Sequence, residues 1–382
     1  MESYAIKAAR FFLPGAPTGP GYLSVRDGQF GFFSADEPAC EIVDCGDAWV
    51  APGFVDTHIH GFLGHDVMDC DPAGVAAICQ GLVKYGVTSW TPTTLTASVD
   101  QTRDACVSVA DHLDEFSGAH VRGIFLEGPF FTERHKGAQN PAYFLDPRLE
   151  VFNDWQQSAH GLIDKVAIAS EREGAALFSA QVSAEGVHVA LAHSDATYDQ
   201  AIACVNAGAD VFIHTYNGMS PLHHREPGMV GGAMTSHGTY AEAICDGHHL
   251  HPIAIKALMD AKGKDHVVLI TDCMCAGGMP DGDYALGEFP VTVANGAATL
   301  KDGGSLAGSI LTLDKAVQNV VGWGLATAEE AIRMATENPA MANGIDDVCG
   351  FIRPGYDADY VVLDHDLTVL KTVVSGESVY TR

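Results

Sequence analysis

The chain has 382 residues, is 47% apolar, and carries 49 acidic against 21 basic side chains, a formal charge of −28. Nucleic acid and anionic membranes both call for clustered basic residues, so neither is an expected partner. No apolar run reaches the ~18 residues of a membrane span, and the start MESYAIKAARFFLPGAP lacks the basic-then-apolar pattern of a signal peptide. A cytoplasmic location follows, with the ten cysteines kept as thiols.

Residues 1–50 read as short strands. YAIKAARFFL, YLSVRDGQFGFF and EIVDCGDAWVAPG are rich in β-type residues and broken by Gly, Pro and Asp-Gly turns. The end of the chain, ADYVVLDHDLTVLKTVVSGESVY, has the same character. The two ends predict one small β-sandwich domain, built from residues 1–50 and 350–382.

The middle, 51–349, alternates. Strands are expected at 54–60, 87–91, 121–127, 164–169, 187–193, 210–214, 240–245 and 266–272, with helices such as 72–85, 99–116, 197–207 and 252–262 between them. Eight strand–helix repeats are the pattern of an α/β fold of the (β/α)8 TIM-barrel type. Helices near 311–323 and 327–342 would complete it, and PVTVANGAATLKDGG predicts a hairpin with an Asn-Gly turn.

Polar residues with metal-binding chemistry sit where these strands end. They are His58 and His60 in VDTHIHG, Glu127 in FLEGPF, His193 in AHSDATY, His214 in HTYNGM and Asp272 in TDCM. On a strand, residues two apart share a face, so His58 and His60 point the same way. In a parallel barrel the chemistry lies at the strands' C-terminal ends. Imidazole and carboxylate together suit a divalent ion. GxGxxG, Walker A, HExxH and GxSxG motifs are absent. Hydrolysis by a metal-activated water is the chemistry this set supports, with Asp272 as proton acceptor. Glu171, after the fourth strand, could face the same end, although a structural role is the more ordinary reading.

VDTHIHG, FLEGPF, HKGAQNP, AHSDATY, HTYNGMSP, REPGMVGG, DGHHLHP, TDCMCAGG, SLAGSILTLD and ENPA together resemble the N-acetylglucosamine-6-phosphate deacetylases of the amidohydrolase superfamily, from about residue 50 onward. The resemblance implies removal of acetate from a phosphorylated amino sugar, with one or two divalent ions per subunit, zinc first and iron as the alternative. It implies Glu127, His193 and His214 as ligands of a shared metal site, with His58 and His60 supporting a second ion, and Asp272 as the catalytic acid/base. It also implies substrate contacts from Ala138, Gln139, Asn217, Gly218, Arg225, Asp246, His249, Leu306, Ala307 and Gly308. In related enzymes an arginine like Arg225 comes from the neighbouring subunit, so a homodimer is expected. Some members carry a histidine at the position of Gln139 that polarises the acetyl carbonyl. A glutamine can donate a hydrogen bond there but carries no charge. Two alternatives stay open on the sequence: an amidohydrolase of another substrate class (cyclic amide, N-acyl amino acid or base deaminase), and a non-catalytic barrel.

Overall fold

The computed structural model describes residues 3–382. Eight parallel strands follow one another along the chain: β1 (Phe54–Ile59), β2 (Val87–Pro92), β3 (Ile124–Phe130), β4 (Ile163–Ile168), β5 (His188–Leu191), β6 (Ala209–Phe212), β7 (Tyr240–Ile244) and β8 (Val267–Ile270). β1 pairs with β2, and β3 to β8 form one sheet in chain order. Isolated parallel bridges join the edges of these sheets, Thr93 to Phe125 and Ile59 to Cys273. Every residue of β1, β2 and β3 is buried. Parallel strands covered on both faces read as continuous apolar runs for this reason.

Helices lie between the strands and start where the sequence signals them. Asp71 accepts from the Ala73 amide ahead of Pro72–Leu82, whose proline occupies the first turn. Thr197 and Gln200 form a reciprocal cap on Tyr198–Asn206. The expected helix 327–342 is instead two, Ala328–Met334 and Glu337–Ala342. A continuous helix would need an amide hydrogen that Pro339 lacks. The third strand, expected at 121–127, begins at Ile124 and runs to Phe130, while His120–Val121 pairs separately with β2. Gly123 lies at this break, and a Cβ there would come within 2.3 Å of the Asp164 carboxyl carbon.

The expected hairpin is present and gains a strand. Gly282–Leu286, Phe289–Ala294 and Ala297–Leu300 form an antiparallel sheet. Asn295 and Gly296 turn with φ of 54° and 83°, as a two-residue hairpin requires. At the chain ends, Gln29–Ser34, Gly21–Arg26, Tyr4–Ala8 and Glu41–Asp44 make one sheet. Arg10–Phe11, Trp49–Pro52, Tyr360–Leu363, Val369–Val374 and Glu377–Thr381 make another. Ile6, Phe11, Leu23, Phe30, Val50, Tyr360 and Val373 form an apolar cluster shared by both sheets and separate from the main core. All ten cysteines are free. Among the described residues no helix is long and apolar enough to cross a membrane.

The main core includes Trp155, on the helix Leu149–Ser158, which is fully buried. Its indole donates to the Val99 carbonyl at 2.9 Å and its ring packs 5.8 Å from that of Phe130. Trp155→Ala is expected to cost ~3–5 kcal/mol, read as a lower calorimetric unfolding midpoint. A loss below ~1 kcal/mol would mean that this helix contributes little to the main core.

Candidate active site

The six residues singled out by sequence converge at the C-terminal ends of the parallel strands. His58 and Glu127 lie within β1 and β3, while His60, His193, His214 and Asp272 lie just beyond β1, β5, β6 and β8. Three of them adopt left-handed backbone, with φ of 42° at His193, 32° at His214 and 50° at Asp272. Such conformations cost a non-glycine residue ~1–3 kcal/mol and persist where surrounding bonds fix them. The bonds are present: Thr132 N donates to the His193 carbonyl, Asn217 N to that of His214, and Ser309 N to that of Asp272, at 3.0, 2.9 and 2.7 Å. The local turn re-aims each side chain from the strand end toward the centre.

Glu127 occupies that centre. Its Oε1 lies 3.2 Å from His193 Nε2 and 3.1 Å from His214 Nε2. Its Oε2 lies 3.0 Å from His60 Nε2 and 3.7 Å from His58 Nε2. Asp272 Oδ1 is 3.2 Å from His60 Nε2 and 3.6 Å from His58 Nε2. Two groups therefore could each hold an ion, His58–His60–Asp272 and Glu127–His193–His214. A third group, His120–Asp357–Asp359, lies elsewhere and its acids already face Arg122 at 2.9 and 3.3 Å.

The far side of the imidazoles decides what the near side offers. His60 Nδ1 faces the Thr93 carbonyl at 3.2 Å and His193 Nδ1 faces the His135 carbonyl at 2.8 Å. A carbonyl only accepts, so both nitrogens carry the hydrogen. His58 Nδ1 likewise meets the Glu242 carboxylate at 2.8 Å. In the neutral rings each Nε2 then presents a lone pair to the oxygens of Glu127 or Asp272. Acceptor facing acceptor is repulsive unless a cation lies between them. His58 Nε2 is buried with no hydrogen-bond partner, as a metal-facing nitrogen would be. This donor set and geometry fit a divalent ion.

The electrostatics agree. Burial opposes a charge on Glu127, but the bonds from His193 and His214, together with the His58 and His60 rings beside it, hold its carboxyl well below the usual range. Burial also opposes a charge on His58, yet Asp272 and Glu242 outweigh it and raise its pKa to about 9. His60 is pushed up in the same way: burial opposes the charge, but bonds to Asp272 and Glu127 prevail. A proton is the cation the site attracts when nothing larger is bound.

Around this centre opens a cavity of about 360 Å³, lined by His60, Glu127, Gly137, Ala138, Gln139, His193, His214, Asn217, Gly218, His249, Asp272, Leu306 and Gly308, with Leu95, Leu286 and Ser305. Gly137 and the last three were not anticipated: apolar Leu95 and Leu286 and the small Gly137 and Ser305 carry no distinctive signal in a sequence. Gln139 lines the cavity and also braces its centre. Its amide nitrogen donates to Glu127 Oε2 at 3.0 Å and its oxygen accepts from Thr96 N at 2.9 Å. Asp246 does not line the cavity; it accepts from the Nδ1 of His249 at 2.7 Å and from the amides of His248 and His249. Ala307 is fully buried behind the lining, with its amide bonded to Ala298. Arg225 is not brought to this cavity within one chain: it is exposed in a separate recess with Arg134 and Asp195, 2.7 Å from His224 Nε2. Glu171 accepts from Ser194 Oγ and Asp195 N at 2.5 and 2.7 Å, and so pins the segment that follows His193. Glu242 and Lys165 were missed, although each is a charged residue inside an apolar strand, YAEAI and IDKVAI.

Residues 49–379 match the model of the amidohydrolase family. The N-acetylglucosamine-6-phosphate deacetylase of Vibrio furnissii is 40% identical over 341 residues, 89% of this chain and 85% of the relative. An N-acetylgalactosamine-6-phosphate deacetylase of Escherichia coli is also 40% identical, over 91% of this chain and 92% of its own. Among solved structures, a mutant N-acetyl-D-glucosamine-6-phosphate deacetylase of Mycobacterium smegmatis, in complex with N-acetyl-D-glucosamine-6-phosphate, superposes with a TM-score of 0.95 at 31% identity, covering all of both chains. The chain belongs to the amidohydrolase family, among its N-acetylglucosamine-6-phosphate deacetylases.

Proposed function

We propose that this chain is a metal-dependent hydrolase that removes the acetyl group from N-acetyl-D-glucosamine 6-phosphate, releasing D-glucosamine 6-phosphate and acetate. The observation that carries the reading is Glu127 set between two pairs of inward-facing Nε2 atoms at the floor of a 360 Å³ cavity. Glu127, His193 and His214 would hold one ion, and His58, His60 and Asp272 a second. Zinc is the first candidate and iron the alternative, since imidazole and carboxylate suit both. When bound, a divalent ion polarises the amide carbonyl and lowers the pKa of water.

The chain's own residues do the rest. Asp272, whose side chain is 11% exposed toward the cavity, takes the proton of the attacking water and returns it to the amine nitrogen as the C–N bond breaks. Asp246 fixes the ring of His249 by accepting from Nδ1, and the ring would meet the sugar phosphate as an imidazolium, donating from Nε2. Asn217 and Gly218 orient the hexose. Gln139 holds Glu127 in place through one of its two amide hydrogens. Arg225 would reach the phosphate in the site of a second copy, which makes a homodimer part of this reading. A forked guanidinium suits a phosphate dianion. The same reading keeps a closed (β/α)8 barrel, supported by the bridges Ile59–Cys273 and Thr93–Phe125, and a separate β-sandwich unit from the chain ends, supported by its own apolar cluster. It places the enzyme in the cytoplasm, acting on a small molecule.

Asp272→Asn is expected to keep the ion of Glu127, His193 and His214 and the substrate affinity while lowering kcat by ~10²–10⁴-fold in an acetate-release assay. Wild-type kcat in that variant would remove Asp272 from the proton transfers. Chelation should abolish turnover and divalent ion should restore it. The 40% identity to an N-acetylgalactosamine-6-phosphate deacetylase favours one second reading, the 4-epimer as substrate. Comparison of kcat/KM for the two sugar phosphates decides between them. Removing the 6-phosphate is expected to lower kcat/KM by more than ~10-fold, since one charge-assisted contact is worth ~1.5–3 kcal/mol. Equal activity on the unphosphorylated sugar would point to another substrate class.

A further inference from the structure

Behind the candidate active site lies a buried ion pair that the proposed chemistry does not use. Lys165 on β4 and Glu242 on β7 are 0% and 1% exposed. Lys165 Nζ donates to Glu242 Oε1 at 3.0 Å, to the Thr57 carbonyl at 2.9 Å and to Asn343 Oδ1 at 3.4 Å, and lies 4.2 Å from the Phe125 ring centre. All three ammonium hydrogens are engaged. The other oxygen, Glu242 Oε2, accepts from His58 Nδ1 at 2.8 Å and lies 3.4 Å from the backbone amide of His214. One carboxylate thus touches a histidine of each candidate ion group.

A buried ion pair is a poor way to gain stability. Apolar residues of similar volume are often as stable or more so. Three strands nevertheless carry this one across the interior to the back of His58. A carboxylate accepts and cannot donate, so it leaves the hydrogen on His58 Nδ1 and turns the lone pair of Nε2 toward Glu127 and Asp272. Lys165 prevents the carboxylate from turning away, because its opposite oxygen is tied to the ammonium. Groups that orient a ligating imidazole in this manner affect metal affinity by ~10–100-fold.

We propose that Lys165 and Glu242 are positioning residues that fix His58 as a metal ligand, so that the ion of the His58–His60–Asp272 group depends on them while that of the Glu127–His193–His214 group does not. This rests on the two-ion reading above. The test is a Co²⁺ titration of chelator-stripped protein, wild type against Glu242→Gln. The amide of Gln must then direct either its nitrogen at Lys165 or its nitrogen at His58 Nδ1, and both are donor-to-donor contacts. Wild type is expected to take two ions per chain. The variant is expected to bind one of them ~10–100-fold more weakly and the other unchanged, with kcat lowered and KM kept.

The double variant Lys165→Met/Glu242→Leu separates positioning from structure. It is expected to fold with an unfolding midpoint no lower than wild type and to show the same selective loss. Folded variants that hold both ions with wild-type affinity, or that weaken both equally, would overturn the assignment. So would a wild type that binds a single ion, or a double variant that fails to fold. Acetate release by the wild type tests the proposed function independently: turnover there with unaltered ion binding in Glu242→Gln would reject this inference alone.

Discussion

The structure depends on a carboxylate that needs a cation. Glu127 is 2% exposed and its two oxygens are approached by nitrogens of His58, His60, His193 and His214. With hydrogens on the outer nitrogens of His58, His60 and His193, the inner ones and the carboxylate repel each other unless something positive lies among them. Each histidine is reached from a different strand end or a neighbouring position, and the left-handed turns at His193, His214 and Asp272 supply the final change of direction. The parallel sheet holds the four imidazoles at separations that no single loop would maintain.

Charge is managed locally and not by the whole molecule. A chain of net charge −28 has an unfavourable average field for an anionic sugar phosphate. Around the cavity the chain therefore presents imidazoles and the Asn217–Gly218 segment, with no carboxylates besides those of the candidate ion groups. Asp246, adjacent in sequence to this lining, is turned away and neutralised by His249 and two backbone amides. Inside, Lys165 balances Glu242. Burial raises the carboxyl of Glu242, but Lys165 and His58 outweigh it and hold its pKa below the ordinary value.

The supporting contacts show why removal of a ligand and removal of its support differ in kind. Glu171 ties down the segment after His193, Gln139 braces Glu127, and the carbonyls of Thr93 and His135 set the rings of His60 and His193. Of these groups only Gln139 lines the cavity, and the others lie behind it. They fix orientation, and a site that holds an ion between near-touching ligands tolerates little angular freedom.

Sequence alone determined the elements whose signals are local. The strand–helix alternation and the Asn295–Gly296 turn follow from periodicity and turn chemistry. The six polar residues at strand ends were legible because each interrupts an apolar run. Helices such as Ala175–Ala184 and Gly228–Thr235 gave weaker signals, the first lacking a polar stripe and the second rich in glycine. Tertiary structure alone decided what depends on partners distant in the chain. Gln139 meets Glu127, Lys165 meets Glu242, Asp246 turns toward His249, and Arg225 stays outside its own chain's cavity. A pattern of residue types reports which face a side chain is on. Its hydrogen-bond partner is set by packing across strands, which neighbouring residues do not encode.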